Sequence, residues 1–151
     1  MMELLFLLLC IGCQFSNHTE TLKICSKATF INVDSIVNNV DDSKYDTVLV
    51  SSYELSSEGS EFIGFYDKKN RLCKLKVTHF GEMGKICHDY YFYNDSLIFK
   101  KLLTYNYDKP FYEKGYKTTI DSSSYNCIIS PIQCNDSTFY NEKAMFLKNK
   151  K

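Results

Sequence analysis

The chain reads as an α+β domain, mainly an antiparallel β meander of about six strands with one short N-terminal helix. Three observations lead there. Arg71 to Phe80 alternates Cys73, Leu75 and Val77 against Lys74, Lys76 and Thr78, the period of a half-buried strand. Runs of this kind are separated by short turn compositions, Ser56-Ser57-Glu58-Gly59-Ser60, Gly81-Glu82-Met83-Gly84 and Asn94-Asp95. Helical spacing recurs in one stretch near the amino terminus, where Val33, Ile36, Val37 and Val40 fall at i, i+3, i+4 and i+7.

Residues 1–12 form an apolar leader. Leu4 to Leu9 is unbroken, Ile11-Gly12-Cys13 follows, and the chain turns polar at Gln14. The run is too short to cross a bilayer as a helix, which needs about 20 residues. It reads as a lipoprotein signal peptide cut before Cys13, whose thiol takes the lipid. The leader has no Lys or Arg ahead of its apolar run and carries Glu3, and Cys10 stands where Leu is usual, so a plain secretory signal is the second reading. Residues 13–24 are then a tether, and residues 25–151 a single α+β domain. The localisation implied is the cell envelope, membrane-anchored through the N-terminal lipid, with a secreted or periplasmic soluble form as the alternative.

The helix is expected from Val33 to about Asp42, with Asn32 at the N-cap and Asp34 favouring the positive first turn. Strands follow over Val48 to Leu55, Phe62 to Tyr66, Arg71 to Phe80, Lys85 to Tyr93 and Leu97 to Tyr107, the last stopped by Asp108-Lys109-Pro110. Asn94-Asp95 is expected to make a tight two-residue turn, because both residues tolerate positive φ. A weak repeat links Phe65-Tyr66-Asp67, Phe92-Tyr93-Asn94 and Phe139-Tyr140-Asn141, each an aromatic pair before a polar turn and an apolar-basic run. On that pattern Phe139 to Leu147 reads as a closing hairpin, and the helix is expected to cover one face of the meander.

Removing the leader leaves 139 residues, enough for one domain with a real core. With 18 basic and 18 acidic residues the net charge is zero, so no global basic field points to nucleic acid. Seven cysteines fit an oxidising compartment. With Cys10 removed and Cys13 lipidated, Cys25, Cys73, Cys87, Cys127 and Cys134 remain, and the odd number leaves one thiol over. Cys127 and Cys134 are the best local disulfide candidates, since Pro131 bends the loop between them.

The stretch from Gly64 to Phe111 contains Phe65-Tyr66-Asp67, Gly81-Glu82-Met83-Gly84-Lys85, Tyr91-Phe92-Tyr93-Asn94 and Tyr105-Asn106-Tyr107. With these motifs it resembles a group of small exported proteins of Bacteroidota, in which a GExGK turn precedes a YYFxN hairpin. Met83 stands where Thr is usual in that turn, and Asp95 where Gly is usual in the hairpin. The resemblance implies export and fold and carries no activity.

Candidate chemistry is sparse. Once the leader with its Cys10-Ile11-Gly12-Cys13 is set aside, no CxxC or HxxxH spacing marks a metal site, no cofactor motif is present, and no catalytic residue stands out. If the hairpin turns at Glu82-Met83, Val77 faces His88 and His79 faces Ile86, so both histidines share the face of Leu75 and Val77. Cys87, next to His88, then points to the opposite face and cannot act as its nucleophile. Asp41, Asp42 and Asp46 lack the Gly and closing Glu of a calcium loop and read as loop acids. The 12 Tyr and 11 Phe are the main compositional oddity. Cross-strand aromatic pairs stabilise sheets, and an outward set formed by Tyr91, Tyr93, Tyr105 and Tyr107 would also suit binding a protein or, less well without any Trp, a glycan.

The functional expectation is a non-catalytic binding or interaction module at the cell envelope, held to the membrane by lipid on Cys13 and meeting an envelope protein. The alternatives are an inhibitor or immunity-type protein that presents the Gly81 to Gly84 loop to an enzyme, and a hydrolase. The inward face of the central hairpin is expected to be Cys73, Leu75, Val77, Ile86, Tyr90 and Phe92, with Lys74 and Lys76 turned to solvent.

Overall fold

Successive antiparallel hairpins lay the strands down in sequence order. The computed structural model describes residues 32–38 and 41–150. The expected leader and tether, with the lipidation candidate Cys13, lie outside the described residues, as do Cys25 and Val40. Strands β1 (Asp46–Ser52), β2 (Ser60–Tyr66), β3 (Leu72–Gly81), β4 (Gly84–Tyr93), β5 (Ser96–Tyr107) and β6 (Thr118–Asn126) form one sheet of order β1-β2-β3-β4-β5-β6. Helix α1 (Val33–Asn38) and a 3-10 turn at Asp42–Lys44 precede the sheet, and α2 (Pro131–Cys134) and α3 (Ser137–Asn149) follow it. The α+β meander of six strands with a short helix before it is therefore present. Among the described residues no helix is long and apolar enough to cross a membrane.

Turn chemistry sets the register. Gly81 pairs Gly84 around Glu82-Met83, which places Leu75 opposite Tyr90, Val77 opposite His88 and His79 opposite Ile86. Asn94 and Asp95 take φ of 47° and 63°, the left-handed conformation of a two-residue hairpin turn, so Asp95 serves here where Gly is commoner. Asp41 caps the 3-10 turn by accepting from the Ser43 N–H.

The core forms where the alternating residues of β1 to β4 meet α3. Val50, Phe62, Tyr66, Leu75, Val77, Tyr90 and Phe92 pack against Phe139 and Phe146. Helix α3 crosses from β5, where Asp136 at its N-cap meets Lys100, to β2, where the Phe146 ring lies over Gly64. A Cβ at residue 64 would run into that ring, so glycine is required for the helix to sit this close. Downstream of α1, Cys127 and Cys134 are joined in a disulfide with Cα atoms 5.6 Å apart, which ties α2 to the end of β6.

Three expectations are corrected. Phe139 to Leu147 is helix, not hairpin. Asp136 accepts from the Phe139 N–H at 2.9 Å, and Glu142, Lys143, Ala144, Met145 and Leu147 are strong helix formers, so a capped start and high local propensity override the resemblance to the earlier Phe-Tyr-Asn turns. The sixth strand comes instead from Thr118–Asn126, and the main core is covered by α3, while α1 lies against β5 with Val33 buried.

The inward face of the central hairpin is also smaller than expected. Leu75, Val77, Tyr90 and Phe92 are buried, but Cys73 is only partly buried and Ile86 is exposed. Opposite Phe65 and Tyr66 the register steps from Lys74 to Leu72, so Cys73 is the bulged residue and Leu72 packs on the core in its place. Ile86 keeps the expected face but lies outside the core that forms beneath α3.

Finally, Lys74 is not solvent-facing. It is buried on the face away from α3, its ammonium 3.1 Å from Asp42 and over the rings of Phe65 and Tyr91. The charge survives burial because it is paired and stacked.

Truncating the core side of this register should be far more harmful than truncating the half-buried Lys76 on the opposite face. Leu75→Ala is expected to cost ~2–5 kcal/mol in urea melts and Lys76→Ala less than ~0.5 kcal/mol. Gly64→Ala, which only adds a methyl group, should cost ~1–3 kcal/mol by pushing on Phe146, and less in a Phe146→Leu background.

Candidate functional site

One rung of the sheet runs Ser60, His79, Ile86, Thr104, and the next runs Phe62, Val77, His88, Leu102. Both histidines therefore stand on the α3 face of neighbouring strands, diagonal to one another, with ring centroids 5.7 Å apart. Above them α3 presents Phe139, Glu142 and Phe146 at i, i+3 and i+7, a single buried stripe with a carboxylate at its centre. Glu142 is 1% exposed.

The carboxylate is fully engaged. Its Oε1 lies 2.8 Å from His79 Nε2 and 2.6 Å from His88 Nδ1, and its Oε2 accepts from the Tyr90 hydroxyl at 2.7 Å. Ser60 Oγ meets the other nitrogen of His79, Nδ1, at 2.7 Å. Burial alone would raise the carboxyl's pKa, but the hydrogen bonds from His79 and His88, the charge of His88 and the Tyr90 hydroxyl outweigh it and hold Glu142 down to about 2. Burial, with Glu142 beside it, pushes the Tyr90 hydroxyl far above the usual phenol range, so it stays a donor.

Among the described residues, His79, His88 and Glu142 are the group of metal-ligating type, their donor atoms all within 4.8 Å. Ser60, His79 and Glu142 also line up as a hydroxyl–imidazole–carboxylate relay. The hydroxyl end is enclosed, since Ser60 is 3% exposed, so a bulky acyl substrate has no approach to it.

Beside this network, an open hollow of about 490 Å³ lies at the end of the β3–β4 hairpin. Leu55, Phe80, Met83, Ile86 and Tyr105 are among the residues that line it, and His79 is the member of the buried network that reaches it. Phe80, Met83 and Ile86 are each at least 39% exposed. The Gly81–Gly84 turn at its rim is strapped down and does not project freely. Tyr107 N–H donates to Met83 O, Phe111 N–H to Glu82 O, and the Tyr112 hydroxyl to the Glu82 carboxylate.

The tyrosines singled out by sequence are divided. Tyr91 is buried, packed on Phe99 and under Lys74, which removes it from any contact face. Tyr93 is exposed at the far end of β4, beside the Asn94-Asp95 turn. Tyr105 lines the hollow, with the Lys85 ammonium 4.7 Å from its ring centroid. Tyr107 packs on Tyr116 at 4.8 Å. The four do not form one ladder.

Cys87 points away from His88, as the strand alternation requires, and receives a weak contact from Thr78 Oγ1 at 3.8 Å. The sequence reading placed the two histidines together but missed Glu142. The signal that would have found it is a Glu midway between Phe139 and Phe146, three and four residues away, just after an Asp-capped helix start.

No family model matches the chain, and no curated protein or solved structure is significantly similar to it.

Removing the central carboxylate should loosen α3 from the sheet. Glu142→Ala is expected to cost ~3–5 kcal/mol in urea melts, because it strands the Tyr90 hydroxyl and two ring nitrogens in the core. At the N-cap, Asp136→Ala removes both the cap and the partner of buried Lys100 and should cost ~3–5 kcal/mol, and Asp136→Asn, which retains the cap and an oxygen facing Lys100, should cost less.

Proposed function

We propose that this protein is an exported interaction module of the cell envelope, anchored by lipid on Cys13, that binds a protein partner through the hollow at the β3–β4 end and catalyses no reaction. The observation that carries this reading is the exposure of Leu55, Phe80, Met83 and Ile86 around one open depression. Apolar side chains gathered in a concave site, with a few polar groups at its edge, are what a partner's apolar side chain covers with gain. Here the polar edge includes Ser56, His79, Lys85, Thr104 and Asn106.

Three further features support the reading. The Cys127–Cys134 disulfide suits an oxidising compartment outside the cytoplasm. The enclosed Ser60 argues against hydrolysis through the Ser60–His79–Glu142 line. The strapping of the Gly81–Gly84 turn favours a broad apolar face over a single loop inserted into an enzyme's cleft.

The test is retention of an envelope protein by the immobilised domain. Ile86→Asp should lower the amount retained at least tenfold while the circular dichroism spectrum is unchanged. Leu49→Asp, at an exposed apolar position on the outer strand β1, should retain as much as the wild type. Equal retention by both variants would rule out the hollow as the contact face. In cells, Cys13→Ser should move the protein out of the membrane fraction, and an unchanged fractionation would rule out the anchor.

A further inference from the structure

We propose that His79, His88 and Glu142 form a binding site for a divalent transition-metal ion of the zinc class. The donor set is two imidazole nitrogens and one carboxylate oxygen, a combination that suits zinc and its neighbours and is poor for magnesium or calcium, which take oxygen ligands. The absence of HxxxH spacing, and of CxxC spacing after Cys13, does not bear on this set. Its members come from β3, β4 and α3, and the fold brings their donor atoms within 4.8 Å of one another.

The surroundings are those a metal site needs. Ligating histidines are usually held through their second ring nitrogen, and Ser60 Oγ holds Nδ1 of His79 at 2.7 Å. A hydroxyl serves either tautomer. With Nε2–H donating to Glu142, Ser60 donates to Nδ1. With the proton moved to Nδ1, Ser60 accepts it and the Nε2 lone pair is free for an ion. Tyr90 fixes Glu142 through Oε2, leaving Oε1 directed at the two rings.

The present N···O separations of 2.6 and 2.8 Å are hydrogen-bond lengths. Tetrahedral ligation at 2.0–2.1 Å spaces donors by about 3.3 Å, so binding requires the two N···O pairs to part by roughly 0.5–0.7 Å. The ion takes the place of the two ring protons that now separate nitrogen from oxygen. Entry is through the hollow, which His79 lines.

The test uses the full chain, stripped by dialysis against a chelator and titrated calorimetrically with zinc chloride or magnesium chloride. One zinc per chain with a rise in Tm, and no response to magnesium at the same concentration, is expected. His79→Gln, at the rim of the core, should weaken zinc binding at least a hundredfold with the fold intact by circular dichroism. Ser60→Ala should weaken it about ten- to a hundredfold.

Because Glu142 also seats α3, its role is read in the wild type by replacing zinc with cobalt(II). Strong visible absorption of a tetrahedral ion without a thiolate charge-transfer band is expected. Zinc binding that His79→Gln leaves unchanged, a thiolate band, a weak octahedral spectrum, or no saturable zinc binding would each overturn the proposal.

Discussion

Helix α3 is committed to its place by a charge in the middle of its buried face. A carboxylate removed from water is tolerable only where donors already stand to receive it. Glu142 finds three, from His79, His88 and Tyr90 on two adjacent strands. Those donors face one way because β3 and β4 pair in the register that the Gly81–Gly84 turn sets. A slip of β4 by one residue would turn His88 and Tyr90 to the opposite face and leave the carboxylate only His79, so the helix position and the sheet register enforce one another.

The same logic recurs at the ends of the helix and on the other side of the sheet. Lys100 is buried, but its ammonium sits 2.5 Å from Asp136, the residue that also caps α3. Lys74 is buried on the opposite face and reaches Asp42. Each lysine fastens a segment to the sheet, and each occupies a position that alternation alone would assign to solvent or to apolar core. Buried charge is used here to place elements, with apolar packing by Phe139 and Phe146 supplying the bulk of the contact.

The hollow follows from where the covered core ends. Phe62, Val77 and Tyr90 are buried with Phe139 and Phe146, whereas Ile86, beside His79 on the next rung, lies open. His79 stands at this boundary, half of it tied to Glu142 and Ser60 and its edge on the hollow. The hollow and the buried network thereby meet at one side chain. The strap from Tyr107 to Tyr112 holds the rim in place and keeps the hairpin end from swinging free.

Much of the sheet was legible in the sequence because its determinants are local. Alternation in Arg71 to Phe80, the Gly81–Gly84 and Asn94-Asp95 turns, the facing of Val77 with His88, and the short Cys127–Cys134 bridge all depend on residues close along the chain. β6 was not legible: Thr-Thr-Ile-Asp-Ser-Ser-Ser-Tyr-Asn has little apolar alternation, and it becomes a strand by completing the hydrogen bonds of β5. The closing helix was partly legible, in its Asp cap and its helix-forming run, but the repeated Phe-Tyr-Asn pattern favoured a turn. The burial of Tyr91, the exposure of Ile86 and the bulge at Cys73 depend on what packs against each face. The union of His79 and His88 with Glu142 spans more than fifty residues. Periodicity and turn chemistry act over a few residues and can be read from sequence; a buried charge and its partners meet only when the chain has folded, and only the tertiary structure decides them.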